Sequence, residues 1–423
     1  MGSEELTTKR AALAQPIRPI QRRPIYALFL ANSISYVGSV LTLLAIPWFV
    51  LQTTGSVALM GLAAFFSTLP LVISAVLGNA IVDRLGFTRA SILSDLISGL
   101  CVASIPLLAE TSGLAFWQLL VLVFLVGLCK MPGGTARSSL VPDLADLAQM
   151  RRERANAIVG SVSRIGTFIG APLAALLIAV IGTRNLLWLD GTSYVISAIL
   201  IGLFVPGTRA VLTTANQSSY FGLIRTGMRF ILRDSVLLPM ISVVMVTNLL
   251  DQALTAVVAP AVIKQAFHSP LPLGWMYGVS GGMAFVGTLA FGAIGHRLPR
   301  RLTFGIGFTI AGVSGFWVLL VPILPLLIVV YAIAGLGAAP INPLITTILQ
   351  ERTPPEMRAR IFGTTAAGEY IGIPIGAVLG GFLVAWIGIP ASLVIMGALY
   401  LLMTLSLLIN PALRKMEKGT KLR

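Results

Sequence analysis

Four stretches of this chain carry no Asp, Glu, Lys or Arg at all: Ile25–Gln52, Ser56–Val82, Leu271–Gly295 and Leu302–Gln350. A helix needs roughly 20 apolar residues to cross about 30 Å of hydrocarbon. Each stretch is long enough for at least one crossing, and the last for two. Such segments restrict the chain to architectures that satisfy every backbone group internally, because hydrocarbon offers no hydrogen bonds. Composition agrees. Charged residues are 11% of the 423 and hydrophobic residues 56%, too apolar for a soluble domain to cover with polar groups.

Reading the apolar runs in order gives twelve spans, at 25–50, 57–82, 90–109, 114–136, 155–181, 185–206, 236–262, 271–295, 302–323, 324–349, 361–387 and 389–411. Two boundaries are tight, at Arg184–Asn185 and at Ile323–Leu324. The net charge of +15 would suit a nucleic-acid partner in a soluble chain, but here the basic residues sit in short loops and act as topology signals. With the N-terminus placed in the cytoplasm, 26 of the 30 Lys and Arg fall on that side, Arg137 among them. The outer loops keep only Arg184 and Lys264, while Lys130 and Arg164 lie inside spans. The expectation is a multi-pass protein of the inner (plasma) membrane with both termini cytoplasmic.

The chain also repeats itself. Gly170–Gly182 (GAPLAALLIAVIG) and Gly376–Gly388 (GAVLGGFLVAWIG) match at seven of thirteen positions with a constant offset of 206. The same offset pairs Arg152 with Arg358 and Arg154 with Arg360. A second echo sets Ala80–Leu85 against Ala293–Leu298. The predicted organisation is a basic N-terminal segment (1–24), a six-helix bundle (25–206), a cytoplasmic linker (207–235), a second six-helix bundle (236–411) and a basic tail (412–423). Within the linker, Tyr220–Leu232 is amphipathic and basic, as expected of a helix lying on the membrane face.

Two parallel six-helix repeats joined by a cytoplasmic linker are the layout of the major facilitator superfamily. The loop Asp83-Arg84-Leu85-Gly86-Phe87-Thr88-Arg89 resembles that superfamily's signature loop. Pro142-Asp143-Leu144, Arg154-Ala155-Asn156-Ala157, the Gly-rich fifth span and Trp188-Leu189-Asp190-Gly191-Thr192-Ser193-Tyr194 follow in an order that resembles the enterobactin-exporter and macrolide-efflux branch. The copies are imperfect. Asn79 stands where the signature glycine is usual, and His296 where the second half would carry an acid.

The resemblance implies an all-α membrane protein that exports amphipathic small molecules, drug-like or siderophore-like, by proton-coupled alternating access. It implies a monomer in the lipid bilayer, with the proton gradient as energy source and no cofactor. It places spans one, four, seven and ten around a central pathway, with two, five, eight and eleven beside it. Lys130, Asp251, Asn248 and Asn342 then face or adjoin the pathway, and Arg164 and Glu369 flank it. Ionisable groups in hydrocarbon are costly and default to functional candidates. Glu369 and Asp251 are the candidates for taking up and releasing a proton. Asp83, Arg84, Arg89 and Arg297 form the expected conformational latch, in which Asp83 meets the positive end of a helix in the other half. Phe29, Tyr36, Trp48, Trp275, Tyr277, Trp317, Tyr331, Met245 and Met276 are expected to give the cavity an apolar, aromatic lining.

Other classes leave no trace in the sequence. It has no phosphate-cradling Gly-rich loop ending in Lys-Ser/Thr, no His/Cys cluster for a metal and no nucleophile–base constellation, so neither an enzyme nor a nucleic-acid binder is expected. Two alternatives stay open: a lysophospholipid or lipid transporter of the same fold, and a receptor or scaffold that has lost transport.

Overall fold

A computed structural model describes residues 21–207, 220–354 and 357–417; the side chains at 75–81, 83, 164, 220–224 and 358–360 lie outside that description. Parts of the N-terminal segment, linker and tail therefore fall outside it, as do the side chains of Asp83, Arg164, Arg358 and Arg360. Eleven helices among the described residues are long and apolar enough to cross a membrane. One of them, Arg152–Phe204, has 53 residues, or about 80 Å at 1.5 Å per residue. That is more than twice the hydrocarbon thickness, so it is two crossings, which makes twelve.

The break inside it is Gly182, with φ 81° and ψ 164°. Gly86, between spans two and three, has φ 78° and ψ 154°. Gly388, between spans eleven and twelve, has φ 83° and ψ 166°. At each of these turns one residue ends a helix and starts the next. A side chain would be strained there, which is why glycine occupies them. Gly182 and Gly388 are partners in the 206-residue repeat, so the repeat extends to backbone conformation. The boundary expected at Arg184–Asn185 moves to Gly182.

The remaining spans are Arg23–Thr54, Val57–Leu85, Phe87–Thr111 and Phe116–Leu147 in the first half. The second half has a seventh span, Leu237–Phe267, then Leu271–Ile294, Arg300–Val318, Leu324–Arg352, Arg358–Ile387 and Ile389–Ile409. Span seven contains a π-helical turn, Leu254–Val258, and span ten is interrupted between Ala338 and Ile341. A separate linker helix runs Tyr220–Arg233.

Span four requires a correction. It was expected to end at 136 with Arg137 in a solvated loop, but the helix continues to Leu147. Arg137 points into the bundle, where its guanidinium donates to both oxygens of Asp95 at 3.0 and 3.1 Å. Ser197 of span six donates to the same carboxylate at 2.6 Å. A paired and hydrogen-bonded charge can stay inside where an unpaired one cannot.

The linker end of the molecule is tied mostly within each half. Asp234 follows the linker helix and caps span seven, accepting from Val236 and Leu237 N–H at 2.8 and 2.9 Å. Arg352 at the end of span ten pairs with it at 3.0 Å. Burial pushes the Asp234 carboxyl up, but the Leu237 N–H, Arg352 and the Val236 N–H together hold it below the ordinary aspartate value. Glu417 caps span nine by accepting from Arg300 and Arg301 N–H at 3.1 and 2.9 Å.

The halves meet at the opposite, far end. Span two packs on span eleven where a Cβ on Gly61 would lie 2.5 Å from the Ala377 carbonyl and 2.9 Å from Gly381 Cα. Only glycine allows two backbones so close. Span eight packs on span five through Gly274 against Ala175 and Gly278 against Pro172. Lys264, at the far end of span seven, donates to the Leu51 carbonyl near the end of span one. At the linker end the pattern reverses. Gly160, Gly292 and Gly363 face open space. Span eight is exposed at Val286, Leu289, Ala290, Gly292, Ala293 and Ile294, too many successive positions for one helix face. The two halves therefore touch at the far end and stand apart at the linker end.

Candidate functional site: a cavity between the halves

A cavity of about 460 Å³ lies between the halves, toward the far end. It is lined by spans one, two, four, five, seven and eight, with Val102, Ile105 and Tyr194 closing its back. Span ten, expected at the pathway, contributes no lining residue. Asn342 on that span is exposed, away from this cavity. The aromatic lining also needs correcting. Of the nine residues expected, only Tyr36 and Tyr277 line the cavity. Trp48, Phe29, Met276 and Tyr331 are buried in packing, and Trp275, Trp317 and Met245 are exposed outside it. Aromatic type alone does not say which way a helix face points.

The first-half wall is polar and internally bonded. Ser39 spends its hydrogen on the Ser35 carbonyl, so the Tyr194 hydroxyl, 2.9 Å away, donates to Ser39. Thr167 likewise donates to the Ser163 carbonyl, and Tyr36 donates to Thr167 at 2.9 Å. Thr42 donates to Asp190. Asp190 is fully buried, and its second oxygen accepts from Ser193 at 3.2 Å. Ser67 and Thr68 donate to carbonyls of their own helix. On the second-half wall, Thr255 donates to the Asp251 carbonyl and Tyr277 to the Thr255 carbonyl, both at 2.7 Å. Each of the nine lining hydroxyls thus already has a use for its hydrogen.

Lys130 lines the cavity from span four. It is solvent-accessible and within electrostatic reach of Asp190, yet no ion pair within 4 Å or hydrogen bond engages it among the described residues. Among the described residues it is the one charged residue lining the cavity.

The other expected site residues lie outside the cavity. Asp251 is on span seven next to the lining residue Gln252, but it turns inward to the second half. The Tyr400 hydroxyl of span twelve donates to it at 3.4 Å. Asn248, one turn earlier, donates to the Glu369 carbonyl at 3.1 Å and ties span seven to span eleven. The Glu369 Oε1 is buried with no hydrogen-bond partner. Arg164 stands on span five three residues before the lining Thr167; its side chain is outside the described set. Of the latch residues, Arg84 and Arg89 are exposed, and Arg297, also exposed, donates to His296 at 3.3 Å.

In the sequence Asp190 and Tyr194 stand out only as members of the Trp188–Tyr194 motif, and Tyr400 does not stand out at all. The repeat offset of 206 superimposes those two tyrosines. Tyr194 reaches from span six to span one, and Tyr400 from span twelve to span seven. Applying the offset beyond the matched segment would have found them.

Two six-helix halves around a cavity, closed at one end and parted at the other, define a polytopic transporter fold. The description Major Facilitator Superfamily belongs to the family whose model matches residues 28–249 and again residues 241–422. Nearly the whole chain is covered, one match for each half, and the chain belongs to that superfamily. It is 29% identical over 409 residues to the multidrug efflux pump Tap of Mycolicibacterium fortuitum, covering 95% of this chain and 99% of the relative. It is 21% identical over 404 residues to macrolide efflux protein A of Streptococcus pyogenes, covering 93% and 97%. Identity to the enterobactin exporter EntS of Shigella boydii is 28% over 402 residues, covering 90% and 92%. Among solved structures, the nucleoside transporter NupG superposes with a TM-score of 0.74 at 12% identity, over 91% of this chain and 98% of that one. A POT family transporter in complex with 5-aminolevulinic acid gives 0.72 at 15%, over 94% and 97%. At these identities the structural likeness speaks for the fold.

Proposed function

We propose that the protein is a secondary active exporter of amphipathic small molecules, driven by protons exchanged at Asp251 and Glu369. The observation that carries the reading is the state of these two acids. Neither has a cationic partner among the described residues, and one carboxylate oxygen of Glu369 has no hydrogen-bond partner. An unpaired carboxylate in hydrocarbon is expensive and its neutral form far less so. Such a group is suited to move through a conformational change only with its proton on. Asn248 couples the two sites, since it sits one turn from Asp251 and holds the backbone of Glu369.

The relatives support the direction and the cargo, because efflux of drugs, macrolides or a siderophore is what their names record. The basic linker end is assigned to the cytoplasm of the inner membrane by the positive-inside bias. The described conformation is then open inward and closed outward, the state that would load substrate from the cytoplasm. A cavity of about 460 Å³ is within the range that holds drug-sized ligands. We take the monomer as the working unit, and Asp83, Arg84, Arg89 and Arg297 as the latch that closes the inner side.

The test is transport in proteoliposomes under an imposed pH gradient, comparing wild type with Glu369→Gln and Asp251→Asn. Gradient-driven movement lost in either variant supports the reading. Movement indifferent to the gradient and to both substitutions overturns it.

A further inference from the structure

The cavity's hydrogen-bond inventory says what kind of molecule it can hold. We propose that Lys130 makes the cavity selective for amphiphiles carrying an anionic head group, so that acids are preferred over lipophilic amines. The proposal rests on reading this cavity as the transport site.

Three observations converge on it. First, a lining hydroxyl that has given its hydrogen to the wall can accept from a ligand but cannot donate to it. All nine lining hydroxyls are in that condition. The free donors on the described lining are therefore Lys130 and the amide of Gln252. Second, the described acids near the cavity are withdrawn from it: Asp251, beside the lining Gln252, turns into the second half toward Tyr400. Asp190 is fully buried behind span one, with one oxygen held by Thr42 and the other by Ser193. A cationic ligand would meet Lys130 and find no carboxylate on the described lining to pair with. Third, Asp190 is held by Thr42 and Ser193 and does not engage Lys130 within 4 Å, and no described hydrogen bond engages Lys130 either. The ammonium is left with its donors open to the cavity.

Around Lys130 the lining is largely apolar, with Leu43, Val123 and Val126 in the first half and Ala256, Pro260 and Leu273 on spans seven and eight. A ligand with an anionic head and an apolar body fits such a lining. Charge-assisted bonds from an ammonium to a carboxylate, sulfonate or phosphate are roughly twice as strong as neutral ones.

The experiment is equilibrium binding to the purified protein in nanodiscs of neutral phosphatidylcholine. Two dansyl amphiphiles are used, identical except that one ends in a carboxylate and the other in a trimethylammonium group. Wild type is expected to bind the carboxylate at least about tenfold more tightly, which corresponds to about 1.4 kcal/mol. Lys130→Gln should remove that preference, and Lys130→Arg should keep it. Should the glutamine variant fail to fold, Lys130→Met repeats the test. Equal binding of the two probes by wild type, or a preference that survives loss of the Lys130 charge, overturns the proposal. Transport assays on the same probes separate it from the exporter reading. Carboxylate preference without gradient-driven transport sinks only the exporter reading, and gradient-driven transport of the ammonium as fast as the carboxylate sinks only this one.

Discussion

The two halves share a backbone plan but handle intramembrane charge in opposite ways. In the first half the described intramembrane charges come in sets of opposite sign. Asp95 is held by Arg137 and Ser197, and Asp190 is held by Thr42 and Ser193 with Lys130 in reach. In the second half Asp251 has a long bond from Tyr400, and Glu369 has a buried oxygen without a partner. The tyrosines are repeat partners, yet Tyr194 finds a serine on span one where Tyr400 finds an acid on span seven. Duplication supplied two equivalent scaffolds. In the proposed division of labour, the first half holds fixed charge that shapes the cavity and the second holds acids able to change their protonation.

The comparison breaks most sharply at the second-half acids. Glu369→Gln and Asp251→Asn should each cut gradient-driven transport by about 100-fold, the lower end of the range for losing an acid–base group. Substrate counterflow without a gradient should persist. A comparable loss of coupling in Asp190→Asn, with the fold intact, would erase the distinction between the halves.

The paired charges of the first half should show their effect in stability instead. Asp95→Ala leaves Arg137 buried without its carboxylate, which costs about 3–5 kcal/mol. Thermal unfolding in detergent is expected to register that loss, while Asp95→Ala combined with Arg137→Leu should recover much of it.

The far-end contacts belong equally to both halves. Gly61→Val forces side-chain atoms against Ala377 and Gly381, and overpacking of this kind costs about 1–3 kcal/mol. Because the strain falls on the closed end, the expected result is a shift toward the far-side-open state, read as faster labelling of Ala256→Cys from that side in a background lacking Cys101 and Cys129. Lys264→Met should move the same readout less, by about two- to fivefold, since a cation at a helix C-terminus contributes about 0.3–1 kcal/mol.

The smallest effect concerns Asp234. Its carboxyl is held below the ordinary aspartate value, which is about 3.9. The stability it contributes is fully present above that value and is lost as pH falls through the lower folded value. Arg352→Gln should raise the acid-unfolding midpoint slightly and leave neutral-pH stability of the first half unchanged.

Much of the fold was legible because hydrocarbon leaves few choices. Charge-free runs gave the spans, and the 206-residue offset gave the two halves down to the shared turn at Gly182 and Gly388. Errors arose where a charge found a partner across the bundle. Arg137 looked like a loop residue because Asp95 is 42 positions away and nothing local links them. The cavity was harder still. Lys130 was identifiable from its place in a span, but Asp190 mattered only once span six was seen against span one. Trp48 and Tyr331 look like ligand-stacking residues in sequence and turn out to be packed away. A helix's composition fixes that it is buried in the membrane but not its rotation about its own axis.

Sequence alone therefore determined how many times the chain crosses the membrane, how the crossings pair into repeats and which ionisable groups enter the bilayer. Each follows from a local cost, that of placing a charge or an unbonded peptide in hydrocarbon. Only the tertiary structure decided which charges neutralise one another, which face of each span meets the cavity and which end of the molecule is closed. Those depend on contacts between helices far apart in the chain, where differences of a few kcal/mol in packing and pairing select among arrangements that the same apolar sequence would satisfy.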